Sequence, residues 1–252
     1  MNHDQFLPGP AALFNGLASA LFTFLLSNMP AGAVPGTPDS TVAGALSRHP
    51  FPLAQATATA EAALSQGMRL ASNGSYAAAV QAFSDAIRLD PRSDRAYFGR
   101  GASLFGLGQW GDAVVDLTRS LELNPQNAEA YFARGLSLSR LALYPAAISD
   151  FDRALKINSQ HAKAVFHRGN AKVQTQDLPG ALMDYTRAKM IDPRFADAYF
   201  NRAVVVIKLS TTNKKVAIKD LETAAEIYRS EGNAEGLERV RNTMQAIQSI
   251  GQ

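Results

Sequence analysis

Arginine and aspartate recur at a fixed phase through most of this chain. Arg100, Arg134, Arg168 and Arg202 follow one another every 34 residues. Asp116, Asp150 and Asp184 keep the same interval, and Asp220 comes two residues late. A guanidinium presents a planar fork of donors that one carboxylate fills with two parallel hydrogen bonds. Two chemistries fit such a series: a ladder of structural ion pairs, or a row of guanidinium groups that holds an anionic ligand. A half-buried guanidinium needs a partner, and aspartate supplies one in every period, so the structural ladder is the expectation.

A second series is aromatic. Phe98, Phe132, Phe166 and Phe200 stand at the same 34-residue step, with Leu64 ahead of them. Small or apolar residues surround them, among them Gly99, Ala102, Ala133, Leu136 and Val204. The polar exceptions gather late, at His167, Asn170 and Asn201. Such a row suits a groove that takes an extended peptide or an amphipathic helix, with stiff aromatic anchors and one polar end. Two other readings stay open: the rings are partly core and fill the space between successive repeats, or residues 11–26 cover the groove in cis.

Other chemistries lack their residues. The chain has no cysteine, which excludes a disulfide framework, a cysteine metal site and a cysteine nucleophile. His161 and His167 are six apart, not the three or four that puts two ligands on one helical face, so no metal or cofactor is expected. Gly99, Gly101, Gly106 and Gly108 have no lysine after them in the manner of a phosphate loop. No nucleophile has an identifiable base, so an enzyme is not expected. The net charge of +3 is small, and only Lys208, Lys214, Lys215 and Lys219 concentrate it, so no nucleic-acid partner is expected.

The elements that position these residues follow from the same period. Pro91, Pro125 and Pro193 mark it, with Ser159 at the intervening site. The repeats run 60–93, 94–127, 128–161, 162–195 and 196–231. Small residues recur at the eighth position (Gly67, Gly101, Gly135, Gly169, Ala203) and at the twentieth (Ala79, Ala113, Ala147, Ala181). Large ones recur at the twenty-fourth (Phe83, Leu117, Phe151, Tyr185). Small against large at these spacings describes two helices packed closely. Gly74 and Gly108 fall in the turn between them, where positive φ is tolerated. Pro145 and Pro179 fall where the second helix opens. In the fifth repeat Ala217, Leu221 and Ala224 are displaced by two residues, and the run 210–215 is expected to carry the insertion.

This pattern resembles the tetratricopeptide repeat, a 34-residue helix-turn-helix unit, and in particular repeat proteins of bacteria and cyanobacteria. The resemblance implies an all-α fold, a right-handed superhelical solenoid of about five repeats over 57–231. A capping helix within 232–252 carries Leu237, Val240, Met244 and Ile247 on one face. It also implies that the first helix of each repeat lines a concave face. The partner-binding groove is therefore expected at Phe98, Phe132, Leu136, Phe166, His167, Asn170, Phe200 and Asn201. Members that clamp the C-terminal tail of heat-shock chaperones use a lysine at the fifth position and asparagine at the ninth. The next repeat adds asparagine at the sixth, and a third adds lysine and arginine at the second and sixth. Here the fifth position is Phe or Leu throughout, so no chaperone-tail clamp is expected.

The first 60 residues carry only Arg48, Asp4 and Asp39 as charges. Residues 11–26 are apolar and uncharged, with Leu13, Phe14, Leu17, Leu21, Phe24 and Leu25 on one helical stripe. Residues 1–33 read as an export signal cut after Ala33, for the periplasm or a thylakoid lumen. They also read as an uncleaved anchor over 11–29, or as a helix of a cytoplasmic protein that packs on itself. Residues 34–56 read as a Pro/Ala-rich linker. The expected function is a non-enzymatic scaffold or assembly factor that binds a protein segment in its groove. The alternative is a self-associating structural or envelope component.

Overall fold

The structure, a computed structural model, describes residues 51–210 and 213–249. Among the described residues there are eleven helices and no strands. The sequence expectations for residues 1–33 and 34–50 lie outside the described residues. Helix α1 (Phe51–Ser72) begins inside the stretch expected to be linker. Pro52 as its second residue explains why: proline fits a first turn, whose N–H groups need no helical acceptor. No described helix is long and apolar enough to cross a membrane.

The chain divides between Pro125 and Gln126 into two compact units. The first contains α1, α2 (Tyr76–Leu89), α3 (Asp94–Gly106) and α4 (Trp110–Leu123), each packed on the next. The second contains α5 (Ala128–Arg140), α6 (Tyr144–Ile157), α7 (Ala162–Gln174), α8 (Leu178–Ile191), α9 (Ala196–Leu209), α10 (Lys214–Ser230) and α11 (Ala234–Ser249). Its helices also pack in chain order, and α7 touches α5 as α11 touches α9. Helices α3, α5, α7 and α9 open at or within a residue of the repeat boundaries read from the sequence. Ser93, Asn127 and His161 cap α3, α5 and α7 by accepting a backbone N–H three residues on.

Small-against-large packing sets the spacing within each pair. A Cβ on Gly135 would stand 2.7 Å from the Phe151 ring, and one on Gly101 would stand 2.8 Å from Leu117. The turn after the first helix takes positive φ in the first four repeats, at Gly74 (76°) and Gly108 (77°) as expected. Ala142 (58°) and Gln176 (64°) take it too, although neither is glycine. Helix α11 closes the second unit: Val240 and Ile247 are buried in one cluster with Phe200, Leu221 and Tyr228, and Leu237 and Met244 pack against it.

Candidate functional site

Every arginine of the ladder meets its aspartate. Arg100 donates to Asp116 from Nε and Nη2 at 2.6 and 2.8 Å, and Arg134 donates to Asp150 at 2.7 and 2.8 Å. Arg168 grips Asp184 with the same two nitrogens, and Arg202 grips Asp220 at 2.6 and 2.7 Å. The partners are 16 residues apart in three pairs and 18 in the last, which places the two-residue insertion between α9 and α10. The aspartates are buried. The hydrogen bond to aspartate raises the pKa of Arg100 and Arg134 above the ordinary value against the opposing effect of burial. These forks are full, so the ladder is structural and does not form an open anion row.

The remaining nitrogen extends the ladder. Nη1 of Arg100 donates to Ser84, that of Arg168 to Asp152, and that of Arg202 to Thr186 at 3.5 Å. Each acceptor lies on the second helix of the preceding repeat, two residues after the ladder-aspartate position (Asp150 for Asp152, Asp184 for Thr186). One guanidinium therefore ties a first helix to the second helices on both sides of it. The polar residue at that position was the unread sequence signal. Lys172, at the register that Leu70, Leu104, Leu138 and Val206 hold in the other repeats, adds a second cation to Asp184 at 2.9 Å.

The expected groove residues are not open. Phe98, Phe132, Leu136, Phe166, His167, Asn170, Phe200 and Asn201 are all buried. For the rings this corrects the groove expectation in favour of the core alternative, and the reason is their direction. Phe132 lies 4.6 Å from the His161 ring, 5.7 Å from His167 and 6.0 Å from Phe151. Phe166 lies 4.7 Å from Phe195 and 5.7 Å from Tyr185. A fifth-position ring thus points along the row of helices and fills the gap to the next repeat. His167 sits among Phe132, Phe151 and Phe166, where burial lowers its pKa to about 3, helped by His161, Lys163 and Arg140. It is neutral at physiological pH. His161 accepts the Ala164 N–H on Nδ1, which leaves Nε2 to carry its proton toward Glu129, 3.4 Å away.

The polar end is assembled from three helices. Asn170 Oδ1 accepts from the Tyr185 hydroxyl at 2.7 Å and from Asn201 Nδ2 at 2.9 Å. Asn170 Nδ2 and Asn201 Oδ1 are buried without a hydrogen-bond partner. Beside them Arg239 of α11 lies 4.3 Å over the Phe200 ring and donates to Asp197 at 3.2 Å. Asp197 also accepts from Tyr228 at 2.6 Å. Arg239 is the sixth residue of its helix, as His167 and Asn201 are of theirs, so that register was the signal for it. Among the described residues no three histidine, aspartate or glutamate side chains converge as a metal set.

Family profiles now place the fold. A profile described as TPR repeat matches residues 67–108, and one described as tetratricopeptide repeat matches 100–162 and 132–193. Together they span 67–193, half of the 252 residues. The chain belongs to the tetratricopeptide-repeat (TPR) family. Comparison with curated proteins finds no match. Among solved structures this TPR chain is similar to MamA from Desulfovibrio magneticus, at 19% identity and a TM-score of 0.62 over 68% of this chain and 96% of that one. It is also similar to YrrB, a TPR protein with an unusual peptide-binding site, at 20% identity and a TM-score of 0.60 over 76% and 98%. Pseudomonas aeruginosa PilF aligns at 11% identity with a TM-score of 0.58 over 79% and 95%. These likenesses establish the all-α repeat solenoid.

Proposed function

We propose that this TPR protein is a non-enzymatic scaffold or assembly factor that holds a segment of a protein partner on the inner face of α5, α7 and α9. The buried amide pair carries the reading. Asn170 Nδ2 is a donor without an acceptor, and Asn201 Oδ1 is an acceptor without a donor. A peptide group brings one acceptor and one donor, and in an extended segment both are free, so such a segment laid there satisfies both atoms. Leaving such groups unmet destabilises the fold by about 1–3 kcal/mol each, and a ligand that meets them recovers that energy. The peptide-binding site of YrrB, on a similar fold, supports the reading.

A chaperone tail is not the proposed ligand. Asn170, Asn201 and Arg239 occupy the positions of three clamp residues. The two clamp lysines, however, are replaced by Phe166 and by the exposed Glu235. Nucleic acid is not proposed either, since the ladder arginines are engaged by aspartate. Export or membrane tethering is proposed from the uncharged stretch 11–29 alone. The test is a crosslinked pull-down from the native cell with wild type beside Asn170→Ala/Asn201→Ala. A protein recovered by wild type and lost by the variant supports the scaffold. Identical recovery by both removes the site.

Self-association is the second reading. Met183 and Met190, seven residues apart on α8, are 68% and 75% exposed, two large apolar side chains left in water on one helix. A solution mass that stays monomeric at every concentration removes it.

A further inference from the structure

We propose that the second unit docks on the surface of an anionic lipid bilayer through the edge formed by its within-repeat turns. The proposal is independent of the peptide-site reading.

The topology gathers these turns. From α5 to α10 each helix packs on the next in chain order. The turns α5–α6, α7–α8 and α9–α10 therefore lie along one edge, and the turns between repeats lie along the other. Two of the three are apolar at their tips. Leu141 and Leu143, between α5 and α6, are 39% and 51% exposed. Leu209 and Val216, on either side of the α9–α10 turn, are 43% and 46% exposed. Tyr144 stands half-buried beside Leu143. Apolar side chains clustered at turn tips mark a contact surface.

The backbone of the first tip suits a medium poor in water. The N–H groups of Leu141, Ala142 and Leu143 donate to the carbonyls of Ser137, Ser139 and Leu138. The tip can therefore enter a headgroup layer without stranding an N–H donor.

The second tip carries the charge. Lys208 precedes Leu209, and Lys215 precedes Val216. Lys219 follows one turn along α10, so Lys215, Val216 and Lys219 share about 100° of its circumference. Among the described residues no carboxylate pairs with these three lysines. In the α7–α8 turn stands the acid Asp177, which accepts the Gly180 N–H. Lysine stems lie along apolar surface while their heads reach phosphate, and apolar tips between cations bind an anionic interface.

The layout favours lipid over the other occupants. The polar α7–α8 turn separates the two apolar tips, which stand two repeats apart, or about 20 Å at the usual helix spacing. A protein partner needs a fitted pocket for each tip, whereas lipid headgroups part around both. A nucleic acid would pair with the lysines and leave the four apolar side chains in water.

Because the chain has no cysteine, a single label reports each edge. Full-length Leu143→Cys, Leu209→Cys and Met190→Cys each carry an environment-sensitive fluorophore. Met190 is exposed near the end of α8, at the opposite edge. Vesicles of phosphatidylglycerol and phosphatidylcholine in equal parts contain nitroxide-labelled lipid as the quencher. The labels at 143 and 209 should be quenched about five-fold more than the label at 190, since insertion reaches about 5–10 Å into the interface. Equal quenching at all three positions, or quenching at none, overturns the proposal. A hold made by residues 11–29 alone gives one of those two results. In the second arm, Lys208→Gln/Lys215→Gln/Lys219→Gln joins the label at 143. Half-quenching should then need about 100-fold more lipid, about five-fold for each lysine. An unchanged lipid requirement overturns the proposal. So does a single-stranded oligodeoxynucleotide that alters the label at 209 where vesicles do not, which would assign the lysines to nucleic acid.

Discussion

Arg134 grips Asp150 with two parallel hydrogen bonds of 2.7 and 2.8 Å, sixteen residues along the chain and across the interface between α5 and α6. The aspartate side chain is 7% exposed and the arginine 21%. Removing one partner strands the other. Asp150→Ala is expected to destabilise the fold by about 3–5 kcal/mol, while Arg134→Met/Asp150→Leu stays within about 1–2 kcal/mol of wild type. Chemical denaturation of the two singles and the double checks this. Additive losses would mean that the pair is not coupled.

Ala142 and Gln176 hold the left-handed conformation that glycine holds in the first two repeats. A side chain there costs about 1–2 kcal/mol, part of which glycine returns as unfolded-state entropy. Ala142→Gly and Gln176→Gly are each expected to stabilise by about 0.5–1 kcal/mol. For a chain of this size that raises Tm by about 1–4 °C. A fall in Tm on either substitution would contradict the strain.

His167 is buried neutral, with its pKa lowered to about 3 by burial. The unfolded chain binds a proton near pH 6.5 that the folded chain does not take up until far lower. Stability from this residue is therefore full above about pH 6.5 and falls with acid at about 1.4 kcal/mol per pH unit. Between pH 7 and 5 wild type should lose about 2 kcal/mol more than His167→Gln. Denaturant midpoints at the two pH values give the comparison, and equal losses would show that His167 is not the group responsible.

Phe132 is fully buried among His161, His167 and Phe151. Phe132→Ser should cost about 3–5 kcal/mol and weaken the fold as a whole. Circular dichroism through a thermal ramp reads it. A variant with unchanged Tm would restore the ring to the groove surface.

These residues also show how much the sequence discloses. The 34-residue step disclosed the helix boundaries, the Arg–Asp partners and the two-residue insertion, because each depends only on spacing along the chain. It did not decide where Phe132 and Phe166 point. That depends on the distance between neighbouring helices, which places Phe195 4.7 Å from Phe166 and leaves no open face for the ring. Arg239 stayed hidden for a related reason. Its helix lacks the repeat signature, and only its stacking on α9 and α10 brings the sixth residue over Phe200. Tyr185 was read as a space-filling twenty-fourth residue. Its hydroxyl also sets the Asn170 amide, a contact that the Phe83 and Phe151 rings at that position cannot make.

The central claim is that Asn170 and Asn201 hold a partner's peptide group. The most direct measurement is the affinity of a synthetic peptide from the captured partner, titrated into wild type and into Asn170→Ala/Asn201→Ala at equal Tm. Two charge-free hydrogen bonds of about 0.5–1.5 kcal/mol each predict a loss of about five-fold or more. Equal affinity for the two proteins would contradict the account.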